Sequence, residues 1–378
     1  MIVGVKTHAG TPALSGLYYQ AGFDEVGGQL DSWFGSLNVI AGAAPQTVLG
    51  HQRIANGILG TTADHTYSST ISLAGNTFSN TKAHYIVGDG GAVVITSGIG
   101  PNLGISLSLQ APTPTGTGVF LNPTGIVNAA SNAPFTARIA PGELLTLYGS
   151  NLASSTQTAG IPFPTSGLGN VHVTIGGLPA AIYYVSPSQI SAIVPYEVTP
   201  GSIVEIQVTN DMGSSNVVTN YVSATAPGVF TQNQNGTGYG AIEHLGIGNS
   251  LAPAGSVVSD ANPAMPGETL AVYLTGLGAV SPAITDGAPG PSGPLSYATN
   301  TIGVEFSGTT GTNSFAGLAP LYSGLYQLNV TVPAGLTAGP NFLQISGPDS
   351  SMSYLLIPIA AAPANSGTAN AGLRAPVQ

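Results

Sequence analysis

One phrase occurs twice in this chain, and the duplication limits what the chain can fold into. Residues 140–153 read APGELLTLYGSNLA, and residues 265–279 read MPGETLAVYLTGLGA, with Pro-Gly-Glu kept and the large apolar residues alternating in both. Each copy predicts a turn at Pro-Gly, a strand of period two, and a second turn where Gly and Asn or Gly and Leu break the run. The Gln189–Pro195 and Gln327–Pro333 segments, QISAIVP and QLNVTVP, repeat a second element in the same order. Each copy carries about seven short runs rich in Val, Ile, Thr and Tyr. That is the count of an immunoglobulin-like sandwich.

Upstream of the duplication, runs of the same kind occupy residues 2–6, 17–23, 32–40, 47–59, 66–73, 84–87, 92–96 and 103–109. Gly-Gly, Ala-Gly-Asn and Asp-Gly-Gly turn signals separate several of them. Seven or eight antiparallel strands at this spacing predict a sandwich or a small barrel. The fold class expected is therefore all-β: an N-terminal antiparallel sandwich or barrel, then two tandem Ig-like β-sandwiches. The expected boundaries are 1–111 for the first domain, 112–124 for a Pro/Thr/Gly linker, 125–228 and 229–362 for the two sandwiches, and 363–378 for a flexible tail.

The residues APGELLTLYGSNL, YVSPSQISAIVP, APGVF and GLYQLNVTVP resemble a duplicated C-terminal module of large bacterial extracellular proteins, itself similar to IPT/TIG-type immunoglobulin-like domains. The resemblance covers about residues 125–360. It implies an Ig-like fold and export, and it brings no catalytic residues with it.

Composition narrows the function classes. Charged residues make up 5% of the 378, against roughly a quarter in an ordinary soluble domain, and the net charge is -10. Five Lys and Arg give no footprint for nucleic acid or for an anionic membrane surface. There is no cysteine, which excludes disulfides, zinc–thiolate sites and cysteine nucleophiles. No apolar run reaches transmembrane length. The first residues, MIVGVK, lack a basic start followed by an apolar stretch and read as the middle of a strand. A processed end, or a signal lying upstream, is expected there, and extracellular or cell-surface localisation is inferred from composition.

Candidate chemistry is sparse. The six histidines, His8, His51, His65, His84, His172 and His244, show no metal-ligand spacing, although His51, His65 and His84 share the first domain. The acids of that domain, Asp24, Glu25, Asp31, Asp64 and Asp89, nearly all sit in apparent turns beside glycine and do not announce a hydrolytic pair. Glu143 and Glu268, which recur after Pro-Gly, are expected to accept backbone hydrogen bonds in a tight turn. No catalytic residue, metal ligand or cofactor is expected, and the chain is read as non-enzymatic. Asn235 and Asn329 fit the N-glycosylation sequon.

The leading expectation is a self-associating cell-surface or pilus-like fibre subunit, a head-to-tail homopolymer built by β-strand addition. The apolar strands at the two ends would be exchanged: Ile2, Val3 and Val5, or Tyr354, Leu355, Leu356 and Ile357. The alternative is a carbohydrate-binding or adhesion protein. Trp33, Tyr18 and Tyr19 would stack on sugar, glycans would be the partners, and the Ig-like pair would serve as a spacer.

Overall fold

The structure, a computed structural model, describes residues 6, 10, 12–26, 28–40, 42, 45–56, 62–73, 75–79, 83–99, 103–111, 116–132, 138–236 and 238–361. The candidate exchange residues Ile2, Val3 and Val5 lie outside this set, as do His8 and residues 363–378. The described residues are all-β, with multiple antiparallel sheets and no α-helix, and among them no helix is long and apolar enough to cross a membrane.

Eight strands form the first sheet: β1 (Gly16–Val26), β2 (Gln29–Val39), β3 (Gln46–Asn56), β4 (Thr62–Ile71), β5 (Thr77–Ser79), β6 (Ala83–Gly88), β7 (Val93–Gly98) and β8 (Leu103–Gln110). Their order across the sheet is β4-β3-β2-β1-β8-β7-β6-β5. The two edges, β4 and β5, are consecutive in sequence. Laid flat, eight strands would hold those edges roughly 34 Å apart. The connection from Ile71 to Thr77 spans at most about 21 Å even when fully extended. The sheet must therefore roll, which turns one face inward, and its β4 edge lies beside the strand Ser351–Ile359. The β1–β8 pairing joins the two ends of the meander, and among the described residues no ladder joins β4 to β5.

The two copies of the repeat have the same strand pairing. In the first, Leu144–Ser150 lies between Phe120–Asn128 and Gln189–Ile193. In the second, Glu268–Thr275 lies between Ile242–Gly248 and Tyr326–Thr331. An opposing sheet covers each, built on His172–Ile175 with Ile203–Asn210 and on Gly303–Phe306 with Gly339–Ser346. Two separate apolar cores result. One runs from Val119 to Val222 around Leu145, Leu147 and Ile190, the other from Val229 to Ile359 around Leu270, Val272 and Leu328.

Gly228-Val229 of the APGVF segment pairs with Thr275 and Leu274 in the second copy's sheet, because the Val229 side chain belongs to the second core. In the second copy, Thr312–Leu318 occupies the place that Ala181–Val185 takes in the first, and residues 319–325 form a turn.

The repeated glutamates anchor the turns that precede the central strands. Glu143 is buried; its Oε2 accepts the Ala140 N–H at 2.7 Å and its Oε1 the Asn128 side-chain amide at 2.8 Å. Glu268 is equally buried, with Oε1 accepting the Met265 N–H at 2.6 Å and Oε2 3.0 Å from His244 Nδ1. In each copy the carboxylate ties the residue three positions back to a side chain on the adjoining strand. Burial pushes the Glu143 pKa well above the usual carboxylate range, against the opposing pull of the Ala140 N–H and the Asn128 amide.

Between the copies, Tyr326 Oη donates to the Gly278 carbonyl at 2.6 Å, so Tyr196 Oη donates to Tyr326 at 3.2 Å. The Leu144 N–H reaches Thr275 Oγ1, and Asp349 accepts from the Ala224 and Thr225 N–H groups. Gly142 of the first Pro-Gly-Glu has φ of 72°, and a Cβ there would come within 2.4 Å of both Tyr196 and Tyr326. Its lack of a side chain lets the two modules close on each other.

Asp286, in an apparent Asp-Gly turn, also lies at this junction, where its Oδ1 accepts the Tyr196 N–H. Burial first, and the Glu197 carboxylate beside it, raise its pKa to about 6.

Two outcomes follow. Glu143→Ala strands two buried donors and is expected to lower the unfolding free energy by about 2–4 kcal/mol in denaturant titrations. Asp286 binds its proton more tightly in the folded chain than in the unfolded one. Its contribution to stability is therefore complete below about pH 4 and lost as pH rises through about 6. Thermal melts of Asp286→Asn between pH 4 and 7 are expected to lose that part of the pH slope.

Candidate functional site

The inward face of the rolled sheet lines a partly open cavity of about 480 Å³. Side chains alternate between the two faces of a strand, so its lining can be traced strand by strand. Tyr18 and Gln20 come from β1, Trp33, Leu37 and Val39 from β2, and Val48 and Gln52 from β3. Ser69 and Ile71 come from β4, Tyr85 from β6, Val94 and Thr96 from β7, and Ser106 and Ser108 from β8.

The register arranges these in rows. One row crosses Gln52, Gly35, Gln20, Ser108 and Val94. The next crosses Ile54, Trp33, Gly22, Ser106, Thr96 and Tyr85.

Space remains inside because the middle inward positions are small. Gly22, Gly35 and Gly50 contribute no side chain, and Ser106 and Ser108 contribute only hydroxymethyl groups. Eight-stranded barrels have an interior just wide enough to be filled by side chains or to hold one small ligand. Here it is left partly unfilled. At one end Leu14, Tyr18, Val39, Val48, Val87 and Val94 pack into an apolar plug. Toward the other end the lining turns polar around Trp33.

Gly22 is the seat of the Trp33 ring: a Cβ there would lie 2.8 Å from Trp33 Cζ2 and 2.7 Å from Ser106 Cβ. An aromatic ring laid over a cross-strand glycine is held in place by the sheet beneath it.

The chemistry of the lining is uncharged. It offers one indole, two phenols, two carboxamides and several hydroxyls, with no His, Lys, Arg, Asp or Glu among them. Tyr18 is fully buried, and its hydroxyl donates to the Gly91 carbonyl at 2.9 Å, which fixes its ring as part of the wall. Burial raises the Tyr18 pKa.

The other sequence candidates fall elsewhere. Tyr19 points to the outer face of β1, where its hydroxyl is bonded to Thr124 of the first Ig-like module and burial raises its pKa. The aromatic trio is thus split, with Tyr18 and Trp33 inside and Tyr19 outside. Asn235 is exposed in a turn, whereas Asn329 is half-buried in a central strand and its Oδ1 accepts from Gln327.

The strand Ser351–Ile359, which holds Tyr354, Leu355, Leu356 and Ile357, pairs with Gly339–Ser346 in its own sheet. Its other edge is engaged too: the Leu356 N–H donates to Gly238 O, and Leu356 O accepts from Gly240 N–H. Leu355 and Ile357 are buried in the second core. His84 is exposed and bonded to Ser79 Oγ, His172 is exposed, and His244 is buried against Glu268. Among the described residues no group of His, Asp and Glu is arranged to hold a metal ion. Asp24 and Asp31 lie within strands β1 and β2 rather than in turns.

Sequence reasoning missed Gln20, Gln52, Tyr85, Thr96, Ser106 and Ser108. The signal for most of them was polar residues at i, i+2 spacing within otherwise apolar strands, as in Ser106 and Ser108, beside mid-strand glycines that open space.

These features define an all-β protein whose rolled sheet lines a small neutral cavity and is joined to tandem Ig-like modules. Residues 126–225, the first copy of the repeat, match the IPT/TIG domain family. No curated protein matches the chain in sequence. Among solved structures, SGBP-B of the Bacteroides ovatus mixed-linkage glucan utilization locus, determined in complex with a mixed-linkage heptasaccharide, aligns with 95% of this chain and 69% of its own. The identity is 11% and the TM-score 0.27, and nothing about this chain's ligand follows from a likeness of that degree.

Trp33 is the single tryptophan, so its fluorescence reports on the cavity alone. Gly22→Ala is expected to displace the ring, shifting the emission maximum and lowering the melting temperature of the first domain by several degrees.

Proposed function

We propose that the protein is an extracellular, non-enzymatic carbohydrate-binding protein, with the sugar held in the rolled N-terminal sheet and the two Ig-like modules acting as a spacer. The observation that carries this reading is the cavity lining. A sugar ring presents an apolar C–H face and a rim of hydroxyls, each both donor and acceptor. An indole meets the first, and the amides of Gln20 and Gln52 with the hydroxyls of Thr96, Ser106 and Ser108 meet the second. The volume falls in the range of small-molecule sites. Binding rather than turnover is favoured because the residues that line the cavity include no carboxylate, imidazole or amine to move protons, and the inward carboxylates of Asp24 and Asp31 lie one residue pair beyond Trp33.

Titration of the full chain with oligosaccharides is expected to perturb Trp33 fluorescence saturably. Trp33→Ala is expected to weaken binding by about 1 kcal/mol or more. A broad glycan array without a single hit overturns the reading.

A second reading, self-association, is favoured by a different observation. The outer face of the same sheet carries Phe23, Phe34, Leu107 and Leu109, each between 39% and 48% exposed. Phe34, Ala21 and Leu107 are directly aligned across three strands. A cluster of this kind is the usual mark of a protein contact. Strand addition through residues 354–357 has less support, since both edges of that strand are already engaged. Light scattering of the purified chain at high concentration distinguishes the cases: a monomer throughout excludes self-association, and a concentration-dependent dimer that Phe34→Ser abolishes supports it.

A further inference from the structure

The rows of the barrel continue one step past Trp33. Asp24 on β1 lies directly opposite Asp31 on β2 in the register. By alternation both point to the inward face, Asp24 following Tyr18, Gln20 and Gly22, and Asp31 preceding Trp33, Leu37 and Val39. Exposure alternates to match: Asp24 and Asp31 are half-buried, while Phe23, Glu25, Leu30 and Ser32 beside them are exposed.

Like charges directly opposite each other on neighbouring strands destabilise a sheet. Two further observations mark the pair as more than surface decoration. Asp31 Oδ1 is shielded from solvent and has no hydrogen-bond partner among the described residues. The Asp24 pKa is raised, by burial first and then by the Asp31 carboxylate. Among the described residues the cavity lining contains neither Lys nor Arg to offset them.

We propose that Asp24 and Asp31 form a charge filter at the Trp33 end of the cavity, so that the site accepts uncharged glycans and excludes uronates and sulfated sugars. This rests on the reading of the cavity as a carbohydrate site. An anionic substituent brought to Trp33 would meet two carboxylates one residue pair away and would exchange its water for uncharged walls. Both effects act against it, and neither acts on a neutral sugar. The two carboxylates are positioning groups for selectivity and need make no contact with the ligand itself.

The test uses the full chain on an array that presents each neutral oligosaccharide beside its uronate and sulfated forms, with affinities for the hits measured by Trp33 fluorescence. The wild type is expected to bind neutral forms at least about tenfold more tightly than their anionic counterparts, with the gap narrowing as salt is raised. Asp24→Asn/Asp31→Asn is expected to gain affinity for the anionic forms and keep its affinity for the neutral ones, which also shows that the variant is folded. Equal binding of neutral and anionic forms by the wild type overturns the filter while leaving the carbohydrate reading intact. Binding of neither form overturns both. The salt series on the wild type decides the matter should the double variant not fold: a selectivity that salt leaves unchanged overturns the electrostatic filter.

Discussion

The length of one connection governs the N-terminal domain. Residues 72–76 join the two edge strands of an eight-stranded sheet, and they are too few to cross it flat. Rolling is the only solution, and rolling creates an inside. Everything proposed for the site depends on that inside, because the same strands laid flat would present Trp33, Gln20 and Ser108 as an open surface. The composition of the inward face then decides whether the inside is filled. Valines, leucines and Tyr18 plug one end, and glycine and serine leave the remainder open.

The Ig-like half answers to a different constraint. A buried carboxylate in each copy has to be satisfied, and both copies solve this with a backbone N–H three residues back and one side chain from the adjoining strand. The partner differs, Asn128 in one and His244 in the other, while the geometry of the turn does not. The junction between the copies adds Gly142, whose bare Cα admits Tyr196 and Tyr326, so residues of the repeated motif serve packing within a module and contact between modules at once. Hydrogen bonds from both modules restrain their relative rotation at this junction.

Much of the site's chemistry lies in residues that are individually ordinary. Gln20 and Gln52 are 32 positions apart and share one row only because each is paired to Gly35, on opposite sides of one strand. Asp24 and Asp31 look like turn residues in sequence, near Gly22 and the Gly27-Gly28 pair, but the hairpin turn falls between Val26 and Gln29 and draws both acids into the strands as a facing pair. Tyr18 and Tyr19, adjacent in sequence, are sent to opposite faces by the pleat. The pattern of alternation carried the information about faces, but it did not say which face would become the inner one.

The sequence by itself determined the all-β class, the duplication, and the structural role of the repeated glutamates. Those follow from local periodicity, from turn residues, and from the cost of burying a carboxylate without donors. Tertiary structure alone decided that the first sheet rolls, that its Gly-rich face is the inward one, and that the strand holding residues 354–357 is held on both edges. Each of those outcomes depends on which strands become neighbours, and pairing between strands distant in the chain is set by closure of the whole sheet, which no short window of residues contains.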